Sequence, residues 1–134
     1  MTRLLLDTSV LVAAERGAPL TAVLPDDADV AVAALTLAEL AVGVELASAR
    51  HRSARAAFVA DVRRTLPALP CDDRVADAHA RLLAAVRRAG WPRGAHGLIV
   101  AATAAAWERT VVTRDAGAFT ELPGVTVLEV PAGG

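Results

Sequence analysis

Two aspartates stand at the ends of apolar runs near opposite ends of the chain. Arg3-Leu4-Leu5-Leu6 leads into Asp7, followed by Thr8-Ser9, and Thr110-Val111-Val112-Thr113-Arg114 leads into Asp115. Read as short buried strands, both runs deliver a carboxylate at their C-terminal end, the edge of an open α/β sheet where ligands bind. Carboxylates converging there repel one another. A divalent cation relieves that repulsion, and Mg²⁺ is the usual one among oxygen ligands. A third acid, Glu39, completes the set expected to bind metal: Asp7, Glu39 and Asp115. Such a set suits a phosphodiester whose scissile phosphate meets metal held over carboxylates.

Each acid also has a local role open to it. Asp7 is placed to cap the helix that follows its strand. Asp115 suits a turn. Thr36 and Glu39 have the spacing of a capping box, with Thr36 as N-cap and Glu39 three residues on. Thr8, Ser9 and Thr113 are candidates to orient a carboxylate or a metal-bound water, or to serve as local caps.

The elements that must carry these residues alternate between strand and helix. A strand over residues 3–6 precedes a helix from Thr8 or Ser9 to about Arg16, ended by Gly17 and Pro19. A turn at residues 25–29 leads to a strand over residues 30–33. Helices follow from Thr36 to about Ala49 and from His51 to about Leu66, then an extended piece over residues 68–71 between Pro67 and Pro70. Asp72 or Asp73 caps a helix to Arg88, stopped by Gly90 and Pro92. A small-faced helix over residues 94–108, the strand at Val111-Val112 and a last strand over residues 125–130 complete the pattern, the last two joined through Phe119 and the Pro123-Gly124 turn. The alternation predicts an α/β fold with a short, mostly parallel sheet sandwiched by helices. The 134 residues read as one domain, with 131–134 as a frayed tail.

Composition narrows the class. A hydrophobic content of 54% and a mean hydropathy of +0.43 exclude a disordered chain. The single cysteine, Cys71, excludes a disulfide framework and any cysteine-based zinc site. The longest apolar-rich run, Gly97 to Trp107, has 11 residues, short of the roughly 18 of a membrane span. Asp7 interrupts the first run too early for a signal peptide, so a cytoplasmic location is expected. The absence of Lys, Asn, Gln and Tyr, with one Ile, points to a GC-rich prokaryotic genome. Residues 50–93 hold ten arginines against four acids, and the remainder four arginines against eleven acids. A basic middle facing an acidic remainder fits a phosphodiester docked on arginines. Solvated helix faces would account for the same arginines.

Four segments taken in order resemble the PIN-domain ribonucleases, and above all the toxin half of VapBC toxin–antitoxin pairs. They are the strand ending in Asp7-Thr8-Ser9, then Leu35-Thr36-Leu37-Ala38-Glu39-Leu40, then Leu98-Ile99-Val100-Ala101-Ala102-Thr103-Ala104, then Val112-Thr113-Arg114-Asp115. The resemblance runs from Arg3 to Val130. It implies a PIN-like fold and three or four acids at the C-terminal edge of a parallel sheet, holding Mg²⁺ or Mn²⁺ for hydrolysis of tRNA, rRNA or mRNA. It also implies a homodimer and an antitoxin whose C-terminal segment lies in a groove and aims an arginine at the acids. Carried over by position, the first acid is Asp7, the second Glu39 and the fourth Asp115. The third acid normally follows a histidine at the start of the late helix. Here His96 is followed by Gly97, and Ala118 stands where an acid or amide often precedes the phenylalanine after the fourth acid. Gly97 is thus native to a degenerate site, engineered, or selected against toxicity. His96 reads as structural, with a substrate contact as the alternative, Cys71 as a small core residue, and Trp91 and Trp107 as core or interface residues, with stacking on RNA bases as the alternative.

Overall fold

The computed structural model describes residues 1–18 and 24–131. Its strands are β1 (Arg3–Leu6), β2 (Asp29–Ala33), β3 (Ala68–Leu69), β4 (Thr110–Thr113) and β5 (Val127–Glu129). Its helices are α1 (Thr8–Glu15), α2 (Ala34–Glu45), α3 (Ala49–Thr65), α4 (Asp73–Ala89) and α5 (Ala95–Ala106), with a 3-10 turn at Ala116–Ala118. The strands form one sheet in the order β3-β2-β1-β4-β5, and every pairing is parallel. Strand order therefore reverses at β1. The first two crossovers step outward to β2 and β3, and the next returns to the other side of β1. A crevice outside the strand ends, between β1 and β4, is the topological consequence.

Both sheet faces are covered, which is why the strands read as unbroken apolar runs. Leu4, Leu6, Val32 and Val112 point to α1, α2 and α3, where they meet Val10, Leu11, Leu37, Leu40, Val59 and Val62. Leu5, Ala31, Ala33 and Val111 point the other way, to α4 and α5. On α4 the buried Val75, Ala78, Leu82 and Val86 recur at spacings of three and four, the apolar stripe of an amphipathic helix. Asp72 caps α4 by accepting the N–H of Val75 (3.1 Å), and Gly90 closes it at φ 73°. At the opposite edge of the sheet the buried Arg109 guanidinium donates to the carbonyls of Leu4 and Asp29 and to the Asp29 carboxylate (3.2, 2.9 and 3.1 Å).

Several expected boundaries move. Helix α2 begins at Ala34, two residues ahead of the predicted capping box, with Ala33 at the N-cap. Thr36 is already inside the helix and fully buried, so its hydroxyl does not cap, and Glu39 is released from a capping role. The strand passes into the helix without a loop because Ala33, paired with Leu69, is still part of the sheet. The α2–α3 break falls at residues 46–48 and α3 starts at Ala49, where no Gly or Pro marks the turn. The last strand shortens to three residues, and Cys71, expected in the core, is exposed. Pro19 and Gly133-Gly134 lie outside the described residues.

The basic middle does not form one face. Its arginines divide between α3, packed on one side of the sheet, and α4, packed on the other, because the chain changes faces through β3. Some are engaged locally. Arg52 donates to the carbonyls of Glu45 and Ala47, Arg64 pairs with Asp61, and Arg74 lies over the Trp107 ring, 4.3 Å from its centre. The solvated-face account holds for these side chains.

The end of α5, expected at residue 108, falls at Ala106, and the chain leaves it through Glu108 at φ 52°. Glu108 N–H donates to Ala105 O (3.3 Å) and Arg109 N–H to Ala104 O (2.8 Å), the paired bonds of a Schellman motif in which glycine is the usual residue. Left-handed backbone costs an L-residue roughly 1–2 kcal/mol, offset in part by the extra chain entropy of glycine. Glu108→Gly is therefore expected to raise stability by about 0.5–1 kcal/mol, read as a higher urea midpoint with an unchanged slope.

Candidate active site

Asp7 leaves β1 with its N–H still bonded to Val112 O (2.9 Å), so its backbone is tied to β4. It stands at the N-cap of α1, yet its side chain caps nothing there. Instead Oδ2 accepts two hydroxyls, Ser9 Oγ (2.8 Å) and Thr113 Oγ1 (2.9 Å). Each hydroxyl has one proton, so donation to Oδ2 leaves each oxygen free to accept. Ser9 Oγ accepts the N–H of Arg114 (3.1 Å), and Thr113 Oγ1 accepts the N–H of Asp115 (3.0 Å). Thr113, fully buried, thereby links the carboxylate at the end of β1 to the backbone of the acid that follows β4.

Glu39 is positioned by Thr8, the residue between Asp7 and Ser9. Its Oε1 accepts Thr8 Oγ1 (2.8 Å), and its Oε2 lies 3.5 Å from His96 Nδ1. Consecutive hydroxyls at the start of α1 thus hold acids from two elements, Thr8 on α2 and Ser9 on β1. Thr8, Ser9 and Thr113 each orient a carboxylate, and Thr113 also caps the Asp115 N–H, so both expected roles are filled. Asp115 is exposed and leans over the 3-10 turn, where a Cβ added at Gly117 would meet its Oδ1 at 3.7 Å.

Among the described residues no three His, Cys, Asp or Glu side chains lie close enough together to hold one ion. The acids at this edge nonetheless offer oxygen donors, the ligand type of hard cations. Mg²⁺ ordinarily takes one or two carboxylates and keeps its remaining positions for water. The residues present fit such an ion bound partly through water.

Two open cavities flank the acids. One of about 390 Å³ is lined by Thr8, Ser9, Arg16, Arg114 and Asp115, among others. The other, about 210 Å³, includes Thr8, Arg16, Glu39 and Arg55. Arg16 borders both, and it and Arg114 fall outside the basic segment that composition singled out. Nothing in the sequence marks them except nearness to Asp7 and Asp115. His96, expected to be structural, is 63% exposed beside Glu39. At Gly97 an added Cβ would meet no atom within 4 Å.

A family model described as "PIN domain" matches residues 4–125. The chain belongs to the PIN-domain family. This PIN domain is 36% identical over 126 residues to ribonuclease VapC5 of Mycobacterium tuberculosis, spanning 93% of this chain and 91% of that protein. It is 26% identical over 129 residues to ribonuclease VapC of Rickettsia bellii, spanning 96% of each. Its fold superposes with a TM-score of 0.82 on the crystal structure of VapBC-5 from Mycobacterium tuberculosis, a member of the VapBC family of toxin–antitoxin systems. That comparison has 32% identity and covers 97% of this chain and all of that one.

Thr113→Val keeps the side-chain shape of this PIN domain while removing a donor from Asp7 and an acceptor from the Asp115 N–H. A buried polar group left unsatisfied costs roughly 1–3 kcal/mol. Thr113→Val is expected to lose that much in chemical denaturation. Ser9→Ala, in the half-buried position, should lose less.

Proposed function

We propose that this chain is a VapC-type toxin, a Mg²⁺-dependent endoribonuclease that hydrolyses RNA and is neutralised by a cognate antitoxin. The observation that carries this reading is that hydroxyls at the start of α1 hold two carboxylates, Asp7 after β1 and Glu39 on α2, in a chain whose curated relatives are named ribonucleases. Asp7, Glu39 and Asp115 are the residues that would hold Mg²⁺, or Mn²⁺, directly or through water. The ion, when bound, supplies the positive charge and the activated water that phosphodiester hydrolysis needs. Ser9 and Thr113 fix the rotamer of Asp7 by occupying Oδ2, which leaves Oδ1 as its outward oxygen. Thr8 does the same for Glu39. Arg16 and Arg114, bordering the same cavities, are placed to receive the phosphates on either side of the scissile one.

The partners follow from the same reading. A basic antitoxin segment suits the acidic remainder of the chain. Val42 on α2 and Leu46 just past its end, exposed by 54% and 80%, offer apolar surface to a partner chain or a second copy. A cytoplasmic homodimer is the form we assign to it.

A second reading, a PIN domain that binds RNA or antitoxin with weak cleavage or none, draws support from Gly97, which stands where the family pattern carries an acid. Incubation with total RNA and Mg²⁺, followed by sequencing of the RNA ends, separates the two. Discrete new ends that vanish with chelator are expected. Asp7→Asn should lower their yield by at least roughly 100-fold, since even outer ligand partners are worth 10- to 100-fold. Intact RNA at every metal concentration would leave the binding-only reading.

Open space around Gly97 makes the missing acid directly testable. Gly97→Asp should add a ligand, since a Cβ at that position meets no neighbour. Metal that binds only the folded state stabilises it by RT ln(1 + [L]/Kd), about 2.7 kcal/mol at a hundredfold excess. Melting temperature should therefore respond more steeply to Mg²⁺ or Mn²⁺ in Gly97→Asp, and cleavage should rise with it. Equal metal-induced shifts without added cleavage would show that the site works with three acids.

A further inference from the structure

Beside Asp115, whose carboxylate lies against Gly117, is an open cavity of about 650 Å³. Trp91, Arg93, Gly94, Gly97, Gly117 and Thr120 line much of it, and none of its lining residues is acidic. Two of these residues connect it to the candidate active site. Gly97 follows His96, the neighbour of Glu39, and Gly117 lies under the Asp115 carboxylate. Trp91 is 59% exposed, so a large aromatic ring faces water at the rim instead of packing in the core. The walls are held in place by Arg93, which donates to Gly117 O (3.0 Å) and Thr120 O (2.8 Å) and so straps the α4–α5 connection to the turn after β4. Within the lining, a Cβ added at Gly94 or Gly97 would meet nothing within 4 Å.

We infer that this cavity is a base-binding subsite in which Trp91 stacks on an unpaired nucleobase next to the scissile phosphate of the RNA substrate. The inference rests on the ribonuclease reading and deepens it. A nucleotide whose phosphate sits over Asp115 carries its base to one side, and Gly117, against the Asp115 carboxylate, lines the cavity. Stacking requires a base that is free of a duplex, so the substrate is single-stranded where it is cut. Glycines in the lining leave open space for the flat ring. Stacking accepts every base, because each has a π face. Selectivity at this position is therefore for strand state more than for base identity.

The test uses single-stranded and hairpin oligoribonucleotides that contain a site mapped by end sequencing of RNA cut by the unaltered chain. Binding is measured with Asp7→Asn in Mg²⁺, with and without Trp91→Ala or Trp91→Phe. Trp91→Ala should weaken single-strand binding roughly 5- to 150-fold, the span that base–aromatic stacking produces on alanine substitution. Trp91→Phe should retain most of the affinity. The slope of log affinity against log salt should stay unchanged, because no phosphate contact is removed. An abasic nucleotide beside the cleavage point should erase the difference between the Trp91 and Trp91→Ala chains. Equal RNA affinity in Trp91→Ala would overturn the subsite while the cleavage by the unaltered chain keeps the ribonuclease reading standing. The same equality with weakened self-association or antitoxin binding would reassign Trp91 to a protein contact. Failure of the unaltered chain both to bind and to cut RNA would overturn the two together.

Discussion

The parallel pairing of β1 with β4 is the constraint on which the remaining geometry depends. Leu6 sits opposite Val112, and the Asp7 N–H extends the ladder by one more bond. That register puts Thr113 beside the Asp7 carboxylate although more than a hundred residues separate them in sequence. Side chains alternate between sheet faces, so a slip of one residue would turn Thr113 away and bring Val112 to its place. The apolar contacts of Val112 on one face and Val111 on the other oppose such a slip. Core packing and site assembly are the same event here.

Around that pairing, hydroxyls do the positioning. Carboxylates near one another destabilise the folded chain unless hydrogen bonds or a cation offset the repulsion. Ser9 and Thr113 supply two charge-assisted bonds to one oxygen of Asp7, and Thr8 supplies one to Glu39. Hydroxyls suit the task because they donate to the carboxylate while accepting the backbone N–H groups of Arg114 and Asp115. A lysine or arginine in the same places would neutralise the acids and compete with a metal ion. Arg16, Arg55 and Arg114 border the cavities instead, where a polyanion would approach.

Much of this was legible in the residue order. The apolar runs, the N-cap at Asp72 and the stop at Gly90 marked their elements because each acts over a few neighbouring residues. The acids following β1 and β4 could be named as a pair because strand ends in a parallel sheet share an edge. Less legible were ends without a glycine or proline, such as the break after α2 and the left-handed Glu108. Glu39 shows the limit of a local pattern. Its spacing from Thr36 satisfies a capping box, yet burial of Thr36 and the reach of Thr8 decide otherwise.

By itself, then, the sequence determined that the chain alternates strand with helix, buries both faces of its sheet and places acids at strand ends. These are properties of periodicity and of residue type. Only the tertiary structure decided that β4 returns beside β1, that consecutive hydroxyls of α1 serve two different acids, and that the arginines of α3 and α4 part to opposite faces. It also brought His96 to Glu39 and left Trp91 at the rim of a cavity. The reason is physical. Hydrogen bonds and charge contacts act over a few ångströms of space, and strand order, which sets those distances, is fixed by how the whole chain covers both sides of its sheet.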